Sequence, residues 1–303
     1  MSNAQRLSQD AGALSSPCQD QGVAAPDRHG PVALFDSGVG GLTVLHECLV
    51  QIPHEDFLYL GDTARFPYGD RSLQELREFA RELAGILVGE GAKMLVVACN
   101  SATSASMPQL REDLAGVVDV ISVVEPEARL AANTTRNRRI GLLATPATVD
   151  SGAYQRALRR SAPGCEVTAI GTAELAPLIQ REGEWWDQQL VDCVDRVCEP
   201  LAKAKVDTVI LGCTHYPLIR PILQRRLGRR VRLVSSGEAI AEAVHDALRA
   251  DRLDRDDEER RGDYSFICTG DPAAFHRIGG RFLQMPLGQV RQVEVRDPRE
   301  VAA

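Results

Sequence analysis

The 303-residue chain contains no apolar run that approaches the roughly 20 residues of a membrane-spanning helix, so contact with a membrane is not expected. Positive charge is in short supply: 35 Lys and Arg stand against 42 Asp and Glu, a net charge of −7. A nucleic-acid-binding surface wants the opposite, a basic face. The first thirty residues, "MSNAQRLSQDAGALSSPCQDQGVAAPDRHG", lack the apolar stretch of an export signal. Small, polar and aperiodic, residues 1–30 read as a flexible tail. The expected compartment is then the cytoplasm, where the eight cysteines stay largely reduced. No two of them have the Cys-x2-Cys spacing of a common zinc site. A complete Gly-x-Gly-x-x-Gly loop with its downstream acid is also missing, since "GVGG" stops short of it.

What is present has the balance of an ordinary globular chain, 44% hydrophobic and 25% charged, with length enough for two domains. After Gly30 short apolar runs alternate with helical periodicity. "PVALF", "DFLYLGD", "MLVVA", "VVDVISVV", "RIGLLAT", "CEVTAI", "DTVILG" and "VRLV" read as strands. Between them, leucines at positions 42, 45 and 49 recur at helical spacing, and Leu73, Leu76, Phe79, Ala80, Leu83 and Leu87 mark a long amphipathic helix. Further helices are expected from about Ser101, from about Val149, and over 186–203, 217–227 and 236–250. A solvated loop with ten charged residues out of twelve covers 251–262. "YSFICTG", the helix "DPAAFHRIGGRFL" and "VRQVEV" then add to one of the sheets. Strands separated by helices imply parallel pairing and an α/β fold.

The polar turns that follow these strands carry the chemistry. In open parallel sheets ligands bind beyond the carboxyl ends of the strands, and four candidate turns stand there: Asp36-Ser37-Gly38, Cys99-Asn100-Ser101, Thr145 to Thr148, and Cys213-Thr214-His215. Helix starts favour anions and lower the pKa of a thiol. Cys99 and Cys213 end two similar strands 114 residues apart, each followed by hydrogen-bonding residues. Asp36 precedes the first thiol by 63 residues and Thr145 the second by 68, an echo that suggests two similar lobes facing each other. Two opposed thiols could form a disulfide redox couple, bind a metal with His215, or move a proton from one face of a carbon to the other. Cys18, Cys48, Cys165, Cys193, Cys198 and Cys268 lack such surroundings and read as tail, core or surface residues.

Six stretches, "FDSGVGGLTVL" (35–45), "YLGDTARFPYG" (59–69), "VVACNSATS" (96–104), "IGLLATPATVDSGAY" (140–154), "LGCTHYPL" (211–218) and "TGDPAAFHRIGGRFL" (269–283), resemble those of the cofactor-independent glutamate racemases, in the family's order. The resemblance implies two α/β lobes, each a mainly parallel sheet flanked by helices, with the active site in the cleft between them. Residues 31–126 plus 235–303 would form the first lobe and 127–234 the second. It implies racemisation of L-glutamate to D-glutamate for peptidoglycan synthesis, without a cofactor or metal, in a homodimer. Cys99 and Cys213 would be the two catalytic bases, with Asp36 and His215 assisting them. Asp36, Ser37, Tyr68, Gly69, Asn100, Ser101, Thr145, Thr148, Thr214 and His215 match the positions that hold the amino acid. Pro67, Asp62 and Thr63 read as shaping their own turns, and Trp185 and Trp186 as partly buried anchors. The chain departs from the family at Ser101, usually threonine, and at Gln180, where a glutamate is common and Glu182 follows two residues later. Histidine at 215 points to glutamate rather than aspartate as substrate.

Overall fold

The computed structural model describes residues 26–183, 186–255, 257 and 259–297. The expectations for the tail up to residue 25, with Cys18, and for Trp185 lie outside the described residues. The chain runs β1 (Val32–Asp36), α1 (Leu42–Gln51), β2 (Phe57–Gly61), α2 (Leu73–Gly89), β3 (Met94–Val97), α3 (Asn100–Asp113), β4 (Asp119–Ser122) and α4 (Val124–Thr134). It continues with β5 (Arg139–Ala144), α5 (Pro146–Asp150), α6 (Ala153–Ser161), β6 (Glu166–Gly171), α7 (Leu175–Gln180), α8 (Gln188–Lys203) and β7 (Thr208–Gly212). A 3-10 turn (Tyr216–Ile219) leads into α9 (Arg220–Leu227), followed by β8 (Arg232–Val234), α10 (Ser236–Ala250), β9 (Tyr264–Cys268), α11 (Pro272–Leu283) and β10 (Val290–Gln292).

Among the described residues the strands form two sheets, ordered β10-β9-β2-β1-β3-β4 and β6-β5-β7-β8, and every pairing is parallel. Helices cover both faces of such a sheet, so its central strands are apolar: Val32, Ala33, Leu34 and Phe35 of β1 are fully buried. Each large apolar side chain taken from water in this way contributes about 2 kcal/mol. Helix α2 follows its sequence period, burying Leu76, Phe79, Ala80, Leu83 and Leu87. It starts at a capping box in which Ser72 accepts from the Glu75 N–H while the Glu75 carboxylate accepts from the Ser72 N–H.

One local reading changes. The valine-rich run 117–124 was expected to be one strand, but β4 stops at Ser122 and α4 starts at Val124. Pro126 and the acids Glu125 and Glu127 occupy the first turn of that helix, where a missing N–H costs little and negative charge meets the helix dipole. Trp186 is 48% exposed.

The strand orders decide where a site can form. In the first sheet the chain steps from β1 to β2 on one side, then returns past β1 to β3 on the other. In the second it steps from β5 to β6, then past β5 to β7. Each sheet therefore has a switch point, and ligands bind at such crevices beyond the carboxyl ends. Phe35 is registered with Val97, so Asp36 falls beside Ala98, one residue before Cys99, and Ser37 reaches the Cys99 sulfur. Ala144 is registered with Gly212, so Thr145 and Cys213 follow side by side. Direct hydrogen bonds join the two sets of loops: Thr214 Oγ1 donates to Asp36 Oδ2 at 3.1 Å, and Ser101 Oγ meets Thr145 Oγ1 at 2.8 Å.

Candidate active site

The two switch points share one cavity, lined by Cys99 from the first sheet and Cys213 from the second. Cys99 caps α3, its sulfur 3.5 Å from the Ala102 N–H. Burial nevertheless pushes its pKa up to about 12, the charge of Asp36 adds to that, and hydrogen bonds from Ala102 and Ser37 act against it. Cys213 is raised well above the ordinary thiol range, again by burial first, with the His215 N–H opposing. The expectation that helix starts lower these thiols is thus overturned. A few N–H groups do not offset the loss of water around a sulfur anion.

Asp36 is fully buried. Its Oδ1 accepts from the Gly38 N–H at 3.0 Å and its Oδ2 from Thr214. Burial raises its pKa to about 6, with donors from Gly41, Gly38, Thr214 and Ser37 holding it from rising further. At neutral pH it is an anion close enough to both sulfurs to act on their ionisation. His215 lies beside the other thiol, its Nδ1 3.7 Å from Cys213 Sγ. Its ring packs between Phe66 and Phe282, at centroid distances of 5.5 and 5.3 Å, and burial drives its pKa down to about 3. The imidazole is neutral at pH 7. Gln180 Oε1 lies 2.7 Å from Nε2, and an amide oxygen accepts, so the ring proton sits on Nε2. That leaves the Nδ1 lone pair facing the Cys213 thiol.

Of the residues matched to amino-acid binding, Ser37, Tyr68, Gly69, Asn100, Ser101, Thr145, Thr214 and His215 line the cavity. Asp36 and Thr148 do not. Thr148 stands behind the wall, bonded to Thr145 Oγ1 at 3.0 Å and near Ser101 Oγ at 3.3 Å. Tyr68 presents its ring to the cavity side, but its hydroxyl donates to the Asp62 carboxylate. Asp62 therefore does more than hold its own turn: it also accepts from Arg65 at 2.7 Å and from Thr269 at 2.7 Å. The Phe66–Pro67 peptide is cis, and both residues line the cavity.

Gln180 belongs beside the site, through His215. Glu182 does not: its carboxylate pairs with Arg277 at 2.9 Å, away from the cavity. Sequence reasoning passed over Glu127 and Tyr154 entirely. They form a buried cluster with Asn100, and an acid within "VVEPEARL" gives no local sign of it. Ala173 and Ala176 also line the cavity, where their small size leaves room. Among the described residues, no group of three or more His, Cys, Asp or Glu side chains is arranged to hold a metal ion, and no helix is long and apolar enough to cross a membrane.

A sequence model of the Asp/Glu/hydantoin racemase family matches residues 44–244. A curated glutamate racemase of Geobacter metallireducens is 40% identical over 270 residues, which is 89% of this chain and 98% of that protein. Among solved structures, a glutamate racemase isoform of Bacillus anthracis superposes with a TM-score of 0.83 at 34% identity, covering 88% of this chain and 98% of the other. A glutamate racemase of Francisella tularensis in complex with D-glutamate gives 0.81 at 28% identity, with 88% and 98% covered.

Proposed function

The chain belongs to the Asp/Glu/hydantoin racemase family, and from that membership we propose that it interconverts L- and D-glutamate by a two-base mechanism using Cys99 and Cys213. One observation carries this reading: both thiols line the same cavity, each from the carboxyl end of a different sheet. An α-carbon held between them has a sulfur on either side. One thiolate takes the α-proton as the C–H bond breaks. The opposite thiol gives its proton to the other face of the carbon, which leaves the negative charge on that sulfur. In the reverse direction the roles exchange.

The neighbouring groups fit this chemistry. Burial favours the uncharged thiol at both positions, and the ammonium of a bound amino acid opposes that, favouring a thiolate beside it. Asp36 serves as proton acceptor on the Cys99 side, and the bare Nδ1 of His215 does so on the Cys213 side. The hydroxyls of Ser37, Ser101, Thr145 and Thr214 supply donors for carboxylate groups. Exclusion of water strengthens each of these contacts as carbanion character develops. No cofactor is called for. In this reading residues 31–126 with 235–303 form one lobe and 127–234 the other, the enzyme works as a cytoplasmic homodimer, and D-glutamate goes to peptidoglycan synthesis.

The test is incubation of the pure protein with L-glutamate in D2O, with a chelator present. D-Glutamate carrying solvent deuterium at the α-carbon is expected. Cys99→Ser and Cys213→Ser should each lower two-way turnover by about 10³-fold. Racemisation at the native rate in either variant would overturn the two-thiol assignment.

A further inference from the structure

Glu127 is fully buried where helices of both sheets converge. It lies on α4. Its Oε2 accepts from Asn100 Nδ2 at 3.2 Å, at the start of α3, and from the hydroxyl of Tyr154 on α6. Asn100 Nδ2 also donates to Tyr154 Oη at 2.6 Å. Ser236, at the start of α10, faces the same carboxyl, yet Oε1 has no bond of normal geometry among the described residues. Asn100 lines the cavity, and its Oδ1 has no hydrogen-bond partner there either. The amide nitrogen is held on the far side by two acceptors, and the amide oxygen is left over.

We propose that Glu127 is a positioning residue for the substrate: it turns the Asn100 amide so that Oδ1, not the NH2 group, faces the cavity and accepts from the ammonium of the bound amino acid. The proposal rests on the racemase reading for the identity of that amino acid. The reasoning is one of donors and acceptors. An Asn amide buried among hydroxyls could sit either way round. Oε2 of Glu127 accepts from Nδ2, and by taking the Tyr154 hydroxyl proton as well it leaves the Tyr154 oxygen free to accept from Nδ2. A cation then meets an acceptor. With the amide reversed it would meet two N–H donors, and the polar mismatch would be buried. Burial pushes the Glu127 carboxyl up to about 8, so at neutral pH it is mostly a neutral acid. A proton on Oε1 leaves Oε2 free for both donors and spares Cys213 a further negative neighbour. The ionisable groups that bear on Glu127 from the packed elements are Tyr154 and Cys213.

Removing the acceptor has a specific consequence. In Glu127→Leu the Tyr154 hydroxyl is left to donate to Asn100 itself, which draws Oδ1 inward and turns NH2 toward the ammonium. The full chain is assayed with L- and D-glutamate, and D-glutamate binding is measured by calorimetry. Glu127→Leu should raise KM and Kd by about tenfold or more with kcat changed less than threefold. Adding Tyr154→Phe removes the hydroxyl that drives the reversal and should recover most of that loss. Glu127→Gln, which keeps an acceptor oxygen, should stay within about threefold of native. An unchanged KM in Glu127→Leu overturns the inference, as does a double variant weaker than the single. If Glu127→Leu does not fold, a tenfold KM increase in Glu127→Gln overturns it as well. If the native chain does not racemise glutamate, the functional reading fails on its own; calorimetry still compares the variants, and equal Kd values then overturn the positioning role.

Discussion

His215 owes its tautomer to a single amide. Gln180 Oε1 accepts a hydrogen bond from the Nε2–H, so the ring offers a lone pair to Cys213, while burial keeps it neutral down to about pH 3. Replacing the amide by a carboxylate changes the charge while keeping the shape. In Gln180→Glu the carboxylate stabilises the imidazolium by a charge-assisted bond of about 1.5–3 kcal/mol, which corresponds to about one to two pKa units. An NMR titration of the His215 ring should show its midpoint moving up by that amount. A midpoint that stays in place would mean that Gln180 does not govern the ring.

The elements matter through the ends they bring together. The loop between β1 and α1 passes the loop after β7 so closely that a Cβ on Gly40 would lie 2.4 Å from both His215 Nδ1 and Thr214 Oγ1. Those atoms cannot retreat without leaving Cys213 and Asp36. Gly40→Ala should therefore lower kcat/KM by about 10²-fold, since a displacement of about 1 Å at a reacting group has that effect. Ser72→Ala makes the contrast. It removes the cap of α2, at a residue that is not among those lining the cavity, and should lower unfolding free energy by about 1 kcal/mol with KM unchanged. Urea unfolding and steady-state kinetics on the two variants separate a fault at the site from a fault in the scaffold. Equal effects on both quantities in Gly40→Ala would argue against the close approach.

For the whole molecule, the buried ionisable groups make stability depend on pH in a direction that can be worked out. The Glu127 pKa is raised from 4.5 to about 8 on folding, so the folded state holds its proton where the unfolded state has lost it. The stabilisation is complete below pH 4.5 and is lost as pH rises through 8. Asp36, raised from 3.8 to about 6, acts in the same sense at lower pH. His215, lowered from 6.5 to about 3, acts in the opposite sense, adding stability as pH rises to 6.5. Between pH 6.5 and 8 Glu127 dominates these three. Native protein should lose about 2 kcal/mol over that interval, while Glu127→Gln should show a flat profile. Urea unfolding at the two pH values checks it, and an equal slope in both proteins would remove Glu127 as the cause.

Much of this molecule was legible along the chain because its signals are local. The central strands are continuous apolar runs, since burial on both faces leaves no room for alternation, and the turn residues stand within a few positions of each strand end. Asp36, Cys99, Thr145 and Cys213 were visible as a set for that reason. Helix α4 was not, because its valine-rich approach carries the composition of a strand and only packing ends β4 at Ser122. Whether Gln180 or Glu182 stands at the site was equally beyond local reading, as was the burial that raises both thiols instead of lowering them. The sequence by itself determined the α/β alternation and which side chains end its strands. The tertiary structure alone decided strand order, which sets Asp36 against Thr214 across 178 residues, and the exclusion of water around the cavity. Pairing over such distances and dielectric surroundings are properties of the assembled core, and no window of neighbouring residues contains them.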